Sequence, residues 1–165
     1  MANDKKKQQY KKVEIVNRRA QHEYFFTDTY EAGIVLSGTE IKSIRLGNTN
    51  LNDAYCLLEH GEMWVRNLYI AEYEYGTHSN HEARKTRKLL LRKAELRKLE
   101  RKVREKGNTI VPYKMYINDR GFAKLTIVLA TGKKSYDKRH TIQARDEKRN
   151  LDRMTKAAKM NRSDD

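Results

Sequence analysis

The apolar pattern of this chain ends at Gly132, and that ending limits what it can fold into. From Tyr24 to Thr131, large apolar side chains recur at strand and helix spacings. Beyond Gly132 they thin to Tyr136, Ile142, Leu151, Met154 and Met160. One core therefore draws on roughly 110 residues, an ordinary size for a single domain. The first sixteen residues are Lys- and Gln-rich and too polar to join it. The expected organisation is a basic disordered arm over 1–16, a folded body over 17–131 and a basic tail over 132–165.

Within the body the local signals are mostly those of strands. Tyr24-Phe25-Phe26-Thr27-Asp28-Thr29 is β-rich, and Gly33-Ile34-Val35-Leu36 is a short apolar run. Thr39 fits an N-cap, with Glu40 in the first turn and Ile41 and Ile44 facing inward, so that Lys42 and Arg45 point outward. Ala54 to Leu58, a turn at His60-Gly61 and Met63 to Arg66 predict a hairpin. A second is predicted from Val111, Tyr113, Met115 and Ile117, a turn at Asn118 to Gly121, and Ala123, Leu125, Ile127 and Leu129. Leu96, Leu99 and Val103 fall on one stripe of an amphipathic helix stopped by Gly107, whereas Leu89-Leu90-Leu91 fits either an extended segment or a helix start. Five or six short strands with two helices read as a mainly β fold, an OB-like antiparallel barrel with outer helices. The tail is rich in helix formers and free of Gly and Pro after Gly132. With so little to bury, it is expected to be disordered alone and helical against a partner.

Charge is segregated along the chain. The net is +5 over residues 1–20, −7 over 21–83 and +9 over 84–106, within a total of +14. Separate Lys/Arg blocks beside an acidic stretch suit surfaces that meet a polyanion, while any single block alone suits a solvated helix face. RNA or DNA leads as partner; an anionic membrane is weaker, because no basic stretch has a Trp/Phe-rich opposite face. No apolar run approaches the roughly 18 residues of a membrane span, and the basic start lacks the apolar stretch of a secretory signal. The single cysteine, Cys56, has no internal partner for a disulfide, and the expectation is a cytoplasmic protein.

Catalytic motifs do not survive scrutiny. His78 and His81 have His-x-x-His spacing but no evident third ligand. Asp28, Glu31 and Glu40 suit caps and ion pairs as well as paired acid and base. Ser135 and His140 lack an orienting carboxylate beyond Asp137, and Gly132-Lys133-Lys134-Ser135 lacks the upstream Gly of a phosphate loop. The expectation is no enzyme, no metal and no cofactor. Nucleic-acid features fare better. Ten of the aromatics are Tyr, which can stack on bases and hydrogen-bond to sugar or phosphate. Tyr24 and Tyr55, with Arg19, Lys42 and Arg45, could form a stacking platform, though each Tyr also fits a half-buried strand position. Folded RNA is favoured over duplex DNA, since no helix-turn-helix or zinc finger is visible. A structural ribosomal protein is the runner-up and a basic nuclease a distant third.

Two stretches carry a specific likeness. Asn17-Arg18-Arg19-Ala20-Gln21-His22-Glu23-Tyr24 leads into Tyr30 to Arg45 with the pattern E-A-G-x-x-L-x-G-x-E-x-K-S-x-R, and Gly132-Lys133-Lys134-Ser135-Tyr136-Asp137-Lys138-Arg139 follows later. With Arg87-Lys88-Leu89-Leu90-Leu91 between them, the chain from about Asn17 to Lys159 resembles the SmpB family, protein partners of tmRNA in bacterial trans-translation. The resemblance implies an OB-like body, acting as a monomer, that binds the tRNA-like domain of tmRNA at its elbow and replaces the missing anticodon arm on the ribosome. It implies a tail that lies as a helix in the empty mRNA channel, the chemistry of peptide transfer belonging to the ribosome. By motif match it assigns Asn17, Arg19, His22, Tyr24, Glu31, Lys42, Arg45, Tyr55 and Lys124 to the RNA-facing body. Gly132, Lys133, Lys134, Tyr136, Asp137, Lys138 and Arg139 go to the decoding-region junction, and Arg153 and Met154 to the tail contact. Two departures stand out: Tyr136 where some relatives have His, and Arg153-Met154-Thr155 where some have Arg-Ile-Met.

Overall fold

The computed structural model describes residues 13–105 and 107–160, without the side chains of 135, 136 and 157–160. The chain divides into two compact units, one ending at Gly132 and one beginning at Lys133. In the first, the strands are β1 (Glu14–Val16), β2 (Tyr24–Ile34), β3 (Thr49–Asn50), β4 (Tyr55–Glu59), β5 (Glu62–Arg66), β6 (Tyr69–Ile70), β7 (Arg87–Leu90), β8 (Asn108–Ile117) and β9 (Ala123–Gly132). Its helices are α1 (Arg18–Glu23), α2 (Gly38–Arg45) and α3 (Lys93–Arg104). The fold is thus mixed α and β rather than mainly β.

Seven strands form one antiparallel sheet in the order β1-β8-β4-β5-β7-β2-β9, and β8 also pairs with β9, so six of them close into a ring. Alternation sets what lies inside. Ala123, Leu125, Ile127 and Leu129 of β9 face the interior as predicted, where they meet Met63, Val65, Leu89 and Met115. At one end β8 and β9 bury their outer face too, because α1 lies there: Val111, Val128 and Ala130 pack with Ala20, flanked by Tyr24, Phe26 and Tyr113. Phe26 and Tyr113 meet edge to face with ring centres 5.1 Å apart.

The β4–β5 hairpin turns through His60 and Gly61, both with positive φ (51° and 74°). That is the twist a two-residue hairpin needs, and Gly61 adopts it without a Cβ penalty. In the β8–β9 turn the Asn118 side chain accepts from the backbone amides of Arg120 and Phe122. α3 seats its predicted stripe, with Leu99 fully buried and Leu96 and Val103 packed against the core.

Four sequence expectations need correction. Residues 14–16 are strand β1 on β8, not arm, because Val13 and Ile15 pack against the core; residues 1–12 of the expected arm lie outside the described residues. The two segments expected over 24–36 are one strand bent by a register shift between Phe26 and Asp28. Ser37, not Thr39, caps α2, its amide donating to Glu40 Oε2 at 2.6 Å. Alternation in β8 breaks between Pro112 and Lys114, so Val111 and Tyr113 face α1 while Met115 and Ile117 face the core.

The second unit contains α4 (Ser135–Met160), a 26-residue helix, the form expected of the tail against a partner. Unbroken good helix formers suffice locally, and its start is braced by the Asp137 carboxylate accepting from the Lys134 amide at 3.3 Å. Ile142, Leu151 and Met154 are exposed, so among its described side chains the helix buries no apolar face within its own unit. No helix among the described residues is long and apolar enough to cross a membrane.

Candidate RNA-binding site

Asn17 organises the corner from which the site is built. Its Oδ1 accepts from the Ala20 amide at 3.0 Å, capping α1. Its Nδ2 donates to the carbonyls of Leu51 (3.1 Å) and Pro112 (3.0 Å), tying that cap to β8 and the loop before β4. Asn17 is therefore buried, 2% exposed, and does not face outward as the resemblance implied; it positions its neighbours. Asn17→Ala removes a cap and one donor from each of two carbonyls, of which Leu51 keeps the Ala54 amide, so the expected loss is about 1–2 kcal/mol, read as a lowered urea midpoint.

Around this corner lies a cleft of about 260 Å³. Arg19, Tyr24, Asp53 and Tyr55 line it, with Thr109 and Val111 from β8. Four of the nine expected body residues thus come together here. Tyr55 is 37% exposed. Arg19 donates to Glu23 Oε1 at 2.9 Å and to Asp53 Oδ1 at 3.2 Å, which holds its guanidinium between two carboxylates. The cleft offers two phenol rings and one cation already shared by two acids. It is better furnished for bases and sugar hydroxyls than for phosphates.

The other expected residues lie elsewhere on the body. Glu31 accepts a hydrogen bond from the Tyr116 hydroxyl and lies 3.8 Å from Lys124 Nζ. Tyr116 sits opposite Lys124 across β8–β9, with Glu14 opposite Tyr116 on β1. The bond to Glu31, then burial, pushes the Tyr116 phenol up to about 12, so it stays a donor across the physiological range. Lys42 Nζ lies 5.3 Å from the centre of the Tyr73 ring, which meets Tyr75 at 5.6 Å. Arg45 is half-buried rather than outward, with Nη2 donating to the Gly121 carbonyl at 3.1 Å. His22 is half-buried in the last turn of α1.

In the second unit, Lys133 Nζ is 3.5 Å from Thr141 Oγ1, and Arg139, Arg153 and Met154 are exposed. Gly132 belongs to the first unit, ending β9 opposite Tyr24. The Tyr136 side chain lies outside the described residues. His81 is occupied, with Nδ1 2.9 Å from Thr39 Oγ1 and Nε2 donating to the Ile70 carbonyl at 3.1 Å. Among the described residues no group of three or more His, Cys, Asp or Glu could hold a metal.

Sequence reasoning missed Asp53 and Thr109 in the cleft and Tyr116 beside Glu31. The last was within reach, since the turn at Asn118 to Gly121 sets the register that brings Tyr116 opposite Lys124.

Similarity to known proteins bears on the same residues. An SsrA-binding protein of Parabacteroides distasonis is 56% identical over 144 residues, covering 87% of this chain and 94% of its own. One from Desulforamulus reducens is 57% identical over 137 residues, covering 83% and 85%. A solved chain from the structure "tmRNA-SmpB: a journey to the center of the bacterial ribosome" superposes with a TM-score of 0.64 at 50% identity, covering 74% of this chain and 86% of that one. The family model described as SmpB protein matches residues 14–157, and this chain belongs to the SmpB family.

Proposed function

We propose that this chain is a non-enzymatic RNA-binding protein that holds the tRNA-like domain of tmRNA and carries it, as a cytoplasmic monomer, to ribosomes stalled without message. The ring of strands acts as an OB-like barrel. Its cleft, where Arg19, Tyr24 and Tyr55 converge on the corner made by Asn17, is the observation that carries the reading. One exposed and one half-buried phenol beside a guanidinium suit splayed bases of a folded RNA better than the groove of a duplex. Glu31 works by holding Tyr116 and Lys124 in place, which explains an acid on a surface meant for RNA. Gly132, Lys133, Lys134, Tyr136, Asp137, Lys138 and Arg139 lie at the decoding region, and α4 occupies the vacant mRNA channel through residues such as Arg153 and Met154.

The test is direct binding of purified protein to tmRNA and to an elongator tRNA. Tighter binding to tmRNA is expected. Tyr55→Ala should cost about 1–3 kcal/mol if a base stacks there, with little change in salt dependence. Affinity of the wild type should fall steeply with salt. A flat response, or equal affinity for both RNAs, refutes the assignment.

A further inference from the structure

The cleft has the rings for bases but one shared cation for phosphates, so the charge that RNA binding requires must come from a neighbouring surface. The strand ring indicates where. β4 and β8 are paired at a single position, Cys56 with Ile110. Beside that pair α3 brings Glu100, Val103 and Arg104 against Leu57 and Leu58 of β4 and Asn108 and Thr109 of β8. Its packing leaves two grooves along the helix, of about 300 and 290 Å³. The first shares Thr109 with the cleft. The second shares Leu58 and Glu100 with the first. Cleft and grooves are therefore neighbours, each bordered by a residue of the next.

The walls of this track differ in kind. Its floor includes Leu57, Leu58 and Val103, all partly exposed. The α3 rim carries Lys93, Arg97 and Arg104. Arg104 is paired with Glu100 at 2.8 Å. Lys93 and Arg97 are exposed and have no ion-pair or hydrogen-bond partner among the described residues. Of the other acids around α3, Glu95 accepts from the Arg92 amide at 2.9 Å, Asp28 binds Lys102 and Glu105 accepts from Asn108 Nδ2 at 3.3 Å. Arg97 follows Lys93 by four positions, about one turn or 6 Å along the axis, so two cations without ion-pair partners among the described residues stand in line above an apolar floor. A strand of RNA has the matching profile, with apolar base faces on one side and a row of charges on the other.

We propose that RNA held in the cleft continues along α3, its bases against Leu57, Leu58 and Val103 and its phosphates on Lys93 and Arg97. This rests on the RNA-binding reading and adds to it a second contact region that supplies the phosphate charge. The decisive experiment is a salt titration of full-length chain with tmRNA, comparing wild type with Lys93→Gln/Arg97→Gln and Lys93→Glu/Arg97→Glu. Both positions are exposed, so urea midpoints should not move. Two lost single-strand phosphate contacts should reduce the slope of log affinity against log salt by about 1.4. The reversed pair should bind at least tenfold more weakly at low salt. Thiouridine-substituted tmRNA should crosslink to β4 or α3. Unchanged slopes for both variants, with crosslinks confined to the cleft, would overturn the groove while leaving the cleft standing. Failure of the wild type to bind tmRNA would overturn the underlying reading as well.

Discussion

Glu40→Gln should destabilise the body by about 3–5 kcal/mol, a large part of the roughly 5–15 kcal/mol available to a domain of this size. Glu40 Oε1 and Arg87 Nε lie 2.6 Å apart with both side chains almost wholly buried. Arg87 Nη1 also donates to the carbonyls of Leu68 (2.7 Å) and Lys85 (2.9 Å), while Glu40 Oε2 accepts from Ser37. One ion pair thereby joins the start of α2, the loop after β5 and the start of β7. Gln keeps the shape but leaves the guanidinium charged and unpaired, and removing one partner costs far more than removing both. The double variant Glu40→Met/Arg87→Met should therefore recover much of the loss. Urea denaturation of the two single variants and the double measures this coupling; additive losses would show that the pair acts as two independent hydrogen-bonding sites.

The same pair sets an acid limit. Burial pushes the Glu40 carboxyl up, but the Ser37 amide and the Arg87 guanidinium outweigh it, and the group is held below the usual carboxylate range. A depressed folded value means the contribution is full above the ordinary carboxylate range and is lost as pH falls through the folded value. Wild type and Glu40→Gln should accordingly converge in stability toward strongly acid pH.

What the sequence revealed and concealed divides along physical lines. The β9 face, the α3 stripe and both hairpin turns were legible because each depends on residues close in the chain: alternation, helical period, and Gly or Asn at a turn. The bulge at Pro112 to Lys114 was not, since it answers to α1 packing on Val111 and Val128 from outside the ring. Arg87 looked like one more cation in a basic block because nothing local marks the arginine that is drawn inward by a carboxylate 47 residues earlier. Asn17 was named through the resemblance but for the wrong reason: its side chain clasps three backbone groups. For the cleft, Arg19, Tyr24 and Tyr55 were all named, yet the local excess of acid that turns attention to α3 came only with Asp53 and Glu23 in place.

Ending the chain after Gly132 should leave tmRNA affinity within a few fold of wild type while abolishing tagging on stalled ribosomes. The body's core, cleft and grooves all lie before that point, so nothing that builds them is removed. The α4 helix, in contrast, would be about 39 Å long at the standard rise and leaves Ile142, Leu151 and Met154 exposed. A helix that buries so little apolar surface lacks the packing from which most helical stability comes. Its basic side chains have most to gain where phosphates surround it, as in a vacant RNA channel, and message already present there would exclude it by occupancy. Ala144→Pro separates shape from charge, since it breaks the helix at a cost of about 3 kcal/mol while keeping every cation. If helical structure in the channel is what licenses tagging, this variant should bind tmRNA normally and tag poorly. Full tagging by Ala144→Pro would reduce α4 to a flexible polycation, and loss of tmRNA binding on truncation would place recognition in the tail instead of the body.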